Sequence, residues 1–213
     1  AAIGVTFSIT MFITLLSFMS GLNDLLDGLI LNRTPHIRLY NEILPSKKQP
    51  IEKDEHYKKQ YNFISSVKPK SERLEIYNNA SIIKTLKKDA RVLGVAPRIT
   101  AQVFYNVGSI DLTGVINGVD VEAENRLFSF KDYVTNGNFI DLKNIPNSII
   151  LGKGAAQKML ANIGDVIQVT TVKGERMQLK VVGFFQSGLQ DFDNIQSYSS
   201  INTTQKLLGE SNS

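Results

Sequence analysis

The sequence predicts an α+β fold, in which an N-terminal transmembrane helix precedes a globular head of strands and short helices. The first observation behind this prediction is that Ala1 to Asn23 contains no charged residue. The second is that two later segments, Leu93–Val107 and Ile110–Val119, alternate apolar and polar residues with the period of a strand. The third is that Gly108-Ser109 and Lys173-Gly174 supply turns of the kind that join such strands.

The composition limits the classes of function. With 213 residues the chain has room for one large or two small domains. The absence of cysteine excludes disulfides, thiolate zinc sites and a cysteine nucleophile. A formal net charge of +4 is a mild excess and does not indicate nucleic-acid binding.

The N-terminal apolar run predicts a membrane span, because about 20 apolar residues are needed to cross a bilayer. A buried helix of a soluble core remains an alternative, because the run is diluted by hydroxyl residues, among them Thr6, Ser8, Thr10, Thr14 and Ser17. Those hydroxyls can bond back to their own helix and so remain compatible with lipid. A cleaved signal peptide fits poorly, because no basic n-region and no A-x-A-like site precede Gly21. The predicted membrane-facing residues are Ile3, Val5, Phe7, Ile9, Met11, Phe12, Ile13, Leu15, Leu16, Phe18 and Met19.

The helix is predicted to continue as an amphipathic stalk to about Asn32. Apolar residues recur at a spacing of three and four, with Asn23, Asp24 and Asp27 between them. We expect this apolar stripe to contact a partner subunit or other helices of the same protein. The stripe comprises Leu22, Leu25, Leu26 and Leu29.

The segment that follows the stalk is predicted to begin with a strand at His36–Tyr40 after Pro35. Residues 41–78 are polar, basic and proline-containing, which is typical of a surface excursion with at most a short helix. Ala80–Val92 has helical spacing and is expected to pack on a sheet that contains His36–Tyr40 and Ala96–Val107.

The elements after residue 120 are predicted from the spacing of apolar residues and from turn-forming residues. Val121–Asn136 predicts a short helix and a loop that contribute Phe128, Phe130 and Tyr133 to the core. Thr203 is the expected N-cap of a final helix. The other predictions are a strand at Ser148–Leu151, a helix at Lys153–Ala161, a hairpin of Val166–Val172 with Arg176–Phe185, a strand at Asn194–Ile201 and the final helix at Thr203–Leu208.

No motif in the chain predicts a catalytic, cofactor or metal site. His36 and His56 lie in different kinds of segment and do not form a metal pair. Asp191, Asp193 and Glu210 could form a carboxylate cluster, but loop aspartates more often stabilise turns. The glycines of Leu151–Lys158 begin a helix without P-loop spacing, and we expect them to allow tight packing.

Three stretches together resemble a known family. The first is A-I-G-V from Ala2 with Gly21-Leu22, and the second is S-I-I-L-G-K-G-A-A-Q-K-M-L from Ser148 with Ile163-Gly164-Asp165. The third is V-V-G-F-F-Q-S-G-L-Q-D-F-D from Val181, followed by T-Q-K-L-L-G. These stretches resemble the ABC-transporter permeases of the FtsX/MacB-like family, which includes lipoprotein-releasing, macrolide-efflux and cell-division permeases. The third is most similar to the lipoprotein-releasing (LolC/LolE-type) branch.

The resemblance implies an extracytoplasmic domain with a porter-like βαβ subdomain and an inserted, small strand-rich lobe. The implied boundaries are 1–31 for the transmembrane helix and stalk, 32–108 with 190–213 for the βαβ subdomain, and 109–189 for the lobe. The second βαβ unit would be truncated, since the family continues beyond the point where this chain ends. Residues 173–174 form a tight turn where the cargo-transferring subunit carries an extended loop, which argues against recruitment of a chaperone through such a loop.

The resemblance also implies the function and the partners. The domain would couple ATP hydrolysis on a separate cytoplasmic ABC ATPase subunit to release of an amphipathic cargo such as a lipoprotein. It would do so in the bacterial inner membrane, beside a second permease subunit and with an envelope partner as a further candidate. Efflux of macrolides or peptides and regulation of the cell wall are the alternatives within the family. From other classes, a pilin-like structural protein and a membrane-anchored envelope enzyme also join an apolar helix to a polar head.

Overall fold

The chain is described from a computed structural model, which covers residues 2–31, 34–42, 44–46, 49–57, 60–61, 63, 65, 67 and 75–209. The side chains of residues 27–31 are outside this description. Two compact units are present, one formed by Ala1–Thr34 with Leu93–Ser213 and the other by Pro35–Val92. We call residues 93–209 the head.

The N-terminal segment forms one continuous helix, α1, from Ala2 to Leu31. Glycine at positions 4 and 21 does not interrupt it. At about 1.5 Å per residue a helix of this length extends about 45 Å, which exceeds the thickness of a bilayer core. The predicted continuation of the apolar helix into a stalk is therefore confirmed for the backbone.

The unit Pro35–Val92 contains little regular structure among its described residues. Helix α2 spans Asn79–Lys88, as predicted within a few residues, and none of its residues is buried. A short 3-10 helix, Pro50–Lys53, lies in the basic excursion. The predicted strand at His36–Tyr40 is wrong, because these residues form no ladder and all five are exposed. With no strand there, the predicted strand-helix-strand unit does not form.

The head contains seven strands and five helices among its described residues. The strands are β1 Arg98–Val107, β2 Ile110–Val119, β3 Val134–Gly137, β4 Ser148–Gly152, β5 Val166–Thr171, β6 Arg176–Phe185 and β7 Gln196–Ser200. The helices are α3 Val121–Phe128, α4 Asp141–Asn144, α5 Lys153–Met159, α6 Gln190–Ile195 and α7 Ile201–Leu207. A 3-10 helix, Phe130–Tyr133, links α3 to β3.

The strands form a sheet that closes on itself. Its order is β3-β6-β4-β7-β2-β1-β5, and β5 also pairs with β6. Six strands therefore form a ring, and β3 adds to β6 outside it. The first half of β6 pairs with β5 and the second half with β4, so β6 links these two strands and closes the ring.

The core divides into two apolar clusters. The larger cluster draws on β1, β2, β4, β5 and β6 with helices α5 and α7, and it contains the fully buried Tyr105. The Tyr105 hydroxyl lies 2.5 Å from the Ser197 hydroxyl oxygen, which itself donates to the Val115 carbonyl at 3.2 Å. Burial raises the pKa of Tyr105. Glycine at position 114 leaves room for the Tyr105 ring, because a Cβ there would lie 2.2 Å from Tyr105 Cε2. The smaller cluster centres on Phe130, Leu142 and Phe185.

The single sheet differs from the predicted division into a βαβ subdomain and a lobe. The predicted boundary between residues 108 and 109 falls in the turn of the β1–β2 hairpin, whose strands pair along their whole length. Strand β7, assigned to the βαβ subdomain, pairs with β2 and β4, both assigned to the lobe. Main-chain pairing makes these segments one body, which a division by sequence resemblance does not detect.

Several local predictions also need correction. Ser200 caps α7 in place of Thr203, since its hydroxyl accepts the Thr203 N–H at 3.3 Å. Strand β3 and helices α4 and α6 were not predicted. A further irregularity lies next to Gly183, where the β4–β6 register shifts and a Cβ would lie 2.6 Å from the Asn136 carbonyl oxygen.

Candidate functional site

The described part of α1 has the features of a membrane-spanning segment. Ile3–Leu26, 24 residues, is long and apolar enough to cross a bilayer, and none of that span is buried. The eleven predicted membrane-facing side chains are all exposed, from 49% at Met19 to 87% at Ile3. A helix that is apolar on all sides and does not pack against its own chain is typical of a segment surrounded by lipid.

Three hydroxyl groups of α1 bond back to their own helix, which the sequence allowed. Ser8 donates to the Gly4 carbonyl at 2.9 Å, and Thr14 donates to the Thr10 carbonyl at 2.8 Å. Thr10 in turn donates to the Thr6 carbonyl at 2.8 Å. These bonds remove the main cost of placing the three hydroxyls in hydrocarbon, so Ser8, Thr10 and Thr14 do not argue against a span.

The stalk stripe lies at the C-terminal end of α1. Leu22, Leu25 and Leu26 are 37%, 58% and 44% exposed. With about 100° of rotation per residue they share one side of the helix, whereas Asp24 points away from that side. The Leu29 side chain is outside the described residues. The stripe is therefore available for contact along the part that the structure describes.

The glycines at the start of α5 have a packing role, as predicted. A Cβ at Gly152 would lie 2.2 Å from the Asp193 carbonyl oxygen, and one at Gly154 would lie 2.3 Å from Asn194 Oδ1. Lys153 Nζ donates to Gln186 Oε1 at 3.0 Å. This turn brings α5 against α6, which explains the glycines without a bound anion.

The acidic and histidine candidates do not come together in the described residues. Asp193 is buried and accepts the Ser187 N–H at 2.7 Å, whereas Asp191 is exposed and Glu210 is outside the described part. His36 and His56 are both exposed. Among the described residues no group of three or more His, Cys, Asp or Glu side chains could hold a metal.

Sequence reasoning missed one buried ion pair. Glu124 of α3 is only 4% exposed at its side chain, and its Oε1 accepts Arg98 Nη2 from the start of β1. Its other oxygen, Oε2, is buried without a hydrogen bond. Burial raises the pKa of Glu124, and the nearby Arg98 opposes that shift. The pair fixes α3 to β1, and no sequence signal links the two positions.

Sequence reasoning also missed the exposed apolar residues of the α5–β5 loop, which we define as residues 160–166. Leu160, Ile163 and Val166 are 79%, 47% and 60% exposed. Within this loop Gly164 adopts a φ of +100°, and Asp165 Oδ2 accepts the Asn162 N–H at 2.7 Å. Exposure could not be predicted, because leucine and isoleucine at a helix end usually indicate core.

Comparison with known proteins supplies the family context. Residues 1–213 match the sequence model of the MacB-like periplasmic core domain. No match is found among curated proteins.

Two solved structures are similar to part of this chain. The periplasmic region of MacB from Actinobacillus actinomycetemcomitans is 19% identical with a TM-score of 0.44, and the match covers 60% of this chain and 56% of that structure. The extracellular domain of the noncanonic ABC-type transporter YknZ from Gram-positive bacteria is 18% identical with a TM-score of 0.47, and the match covers 61% and 65%. The matches thus span less than two thirds of either structure.

Proposed function

The chain belongs to the family of MacB-like periplasmic core domains, and from that membership we propose that it is the membrane-anchored extracytoplasmic domain of an ABC-transporter permease. The observation that carries the proposal is that the family match extends over residues 1–213 and so includes both α1 and the head. A family whose members join an apolar helix to an extracytoplasmic head accounts for both parts of this chain.

The proposed role of the domain is mechanical. ATP hydrolysis would take place on a separate cytoplasmic ABC ATPase subunit, and this chain would carry no catalytic group. Helix α1 is continuous from Ala2 to Leu31, so movement at its membrane end would displace the other end as one body. The nucleotide cycle can shift the domain only by the difference in free energy that it imposes between two packings of α1.

The proposed cargo is an amphipathic molecule such as a lipoprotein, on the strength of the V-V-G-F-F-Q-S-G-L-Q-D-F-D resemblance alone. This stretch forms the end of β6, the following loop and the first part of α6. Gly183 and Asp193 have structural roles, so the likeness supports the proposal of this branch only by sequence and identifies no cargo site. Efflux of a macrolide or peptide is the alternative within the family.

The proposed partners are a second permease subunit and the ATPase, in the inner membrane of a bacterium. The stalk stripe is the predicted contact with the second subunit or with other membrane helices of the same protein. Leucine side chains that are about half exposed on one side of a helix would lose unfavourable contact with water by packing there.

Cysteine crosslinking in membranes tests the proposal. The full-length protein would carry a cysteine at Leu25 or Leu26, with Asp24→Cys on the opposite side of α1 as the matched control. We expect Leu25→Cys and Leu26→Cys to link to a protein partner, with yields that change when ATP is added, and Asp24→Cys to link poorly. Equal yields at all three positions would refute the stripe as an interface. Yields that do not respond to ATP would refute the mechanical role.

A further inference from the structure

The α5–β5 loop exposes three large apolar side chains within seven residues. Leu160, Ile163 and Val166 are 79%, 47% and 60% exposed, although each would gain free energy by burial. Single exposed apolar residues are common on protein surfaces, but here three lie within seven residues of one loop, and we call these three side chains the apolar patch.

Leu160 is held in a backbone conformation that does not suit leucine. It is the residue that ends α5, with φ of 53° and ψ of 31°, in the left-handed region that glycine usually occupies at such positions. The strain is not offset by burial, because Leu160 is the most exposed of the three. The stability of the head therefore does not explain a leucine at this position.

The loop presents these side chains from a fixed backbone. The Gly164 N–H donates to the Val181 carbonyl at 2.8 Å, and the Val181 N–H donates to the Asp165 carbonyl at 2.8 Å. At the other end, the Ala161 N–H donates to the Ala156 carbonyl at 3.0 Å. A loop tied to both β6 and α5 has little conformational entropy to lose when it binds.

Positive charge flanks the apolar patch. Val166 pairs directly opposite Lys180, so their side chains are neighbours on one face of the β5–β6 hairpin. Lys158 lies in the last turn of α5, and both lysines are exposed. Neither lysine belongs to an ion pair among the described residues. The one carboxylate of the loop, Asp165, is engaged with the Asn162 N–H.

We propose that the α5–β5 loop is a membrane-surface contact, in which Leu160, Ile163 and Val166 enter the boundary between headgroups and acyl chains of an anionic bilayer. Apolar residues flanked by lysines complement such a surface, because the acyl region accepts the side chains and lipid phosphates attract the ammonium groups. The inference rests on the proposed function, in which α1 already holds the chain in a bilayer. In addition to the anchor α1, the head would contact the membrane surface through the α5–β5 loop.

Site-specific fluorescence tests this contact, and the absence of cysteine from this chain makes single labelling direct. The chain would be reconstituted through α1 into phosphatidylglycerol-containing vesicles, with an environment-sensitive probe on Leu160→Cys. The matched control is Val172→Cys, since Val172 is 68% exposed but lies at the β5–β6 turn. Phe12→Cys reports insertion of α1. Unchanged near-ultraviolet circular dichroism of each labelled protein would establish that the head is folded.

Lipids with a nitroxide near the headgroup should quench the probe at position 160 several-fold more than the probe at position 172. Reversing both charges, with Lys158→Glu and Lys180→Glu, should reduce quenching at 160 toward the value at 172. Quenching at 12 by deep nitroxides without excess quenching at 160 would overturn the loop contact and leave the proposed function standing. No quenching at 12 would overturn the membrane anchor and the loop contact together. Excess quenching at 160 that survives the charge reversal would overturn the role of the lysines.

Discussion

Substitution of Leu160 separates backbone strain from side-chain contact. In Leu160→Ala and Leu160→Gly the same exposed side chain is removed, but only glycine is free of the left-handed strain at φ 53°. That strain costs an L-residue about 1–2 kcal/mol, and the greater freedom of glycine in the unfolded chain offsets about 0.4–1 kcal/mol of the gain. Leu160→Gly should therefore be more stable than Leu160→Ala by about 1 kcal/mol, which corresponds to about 4 °C in Tm for a domain of the size of the head.

Unfolding of the head is followed by tyrosine fluorescence of the full chain in detergent, with heat or urea as the perturbation. Val172 provides the matched control, because it is 68% exposed and is not among the residues with positive φ. There the order should reverse, with Val172→Gly less stable than Val172→Ala by about 0.4–1 kcal/mol. If Leu160→Gly were no more stable than Leu160→Ala, the strained backbone at the end of α5, and the inference drawn from it, would be wrong.

Three further predictions concern the head. Gly114→Ala should destabilise the head by about 3 kcal/mol, because the new Cβ would lie 2.2 Å from the buried Tyr105 ring. The control is Thr113→Ala at the exposed neighbouring position, and equal denaturant midpoints for the two variants would contradict this packing. Burial raises the pKa of Glu124 above 4.5, so the folded state holds its proton to higher pH than the unfolded state does, and stability should fall as pH rises from 4.5 through the raised pKa. The control is Glu124→Gln, which keeps a hydrogen-bond acceptor for Arg98 but does not titrate. The free energy of unfolding of the wild type should fall relative to that of Glu124→Gln as the pH rises, and a difference that does not depend on pH would refute the raised pKa. ATP with magnesium should leave the melting temperature unchanged, and a saturable shift would show a nucleotide site.

The sequence was sufficient to predict elements whose signal is local. The apolar run from Ile3, the alternation in β2 and the turn at Lys173-Gly174 each correspond to an observed element, because a single periodicity or turn residue determines them. Gly152 and Gly154 were assigned correctly to packing, since the glycine spacing excluded a P-loop.

Elements that depend on distant partners could not be predicted. His36–Tyr40 alternates like a strand but has no neighbouring strand, and alternation alone does not supply one. Strand β3 is short and polar, and it exists because β6 offers a free edge to pair with. Closure of the ring joins β1 to β5 and β5 to β6, which no local pattern encodes.

The features of the candidate site also fall into those that local sequence predicts and those that it does not. The membrane span follows from composition, whereas the Arg98–Glu124 pair joins residues that are distant in sequence. The exposed patch of the α5–β5 loop could not be predicted, because a leucine at the end of a helix usually indicates a buried position. Only its φ and its exposure identify it as an outward-facing side chain.

The topology of the full-length protein in intact cells tests directly whether the head lies outside the cytoplasmic membrane. A cysteine at Lys173, on the exposed β5–β6 turn, would be offered a membrane-impermeant maleimide before and after lysis of the cytoplasmic membrane. Spheroplasts expose the outer face of that membrane and keep the cytoplasm closed. We expect full labelling of Lys173→Cys in intact spheroplasts and none of Phe12→Cys. Labelling of Lys173→Cys only after lysis would place the head in the cytoplasm and refute an extracytoplasmic domain.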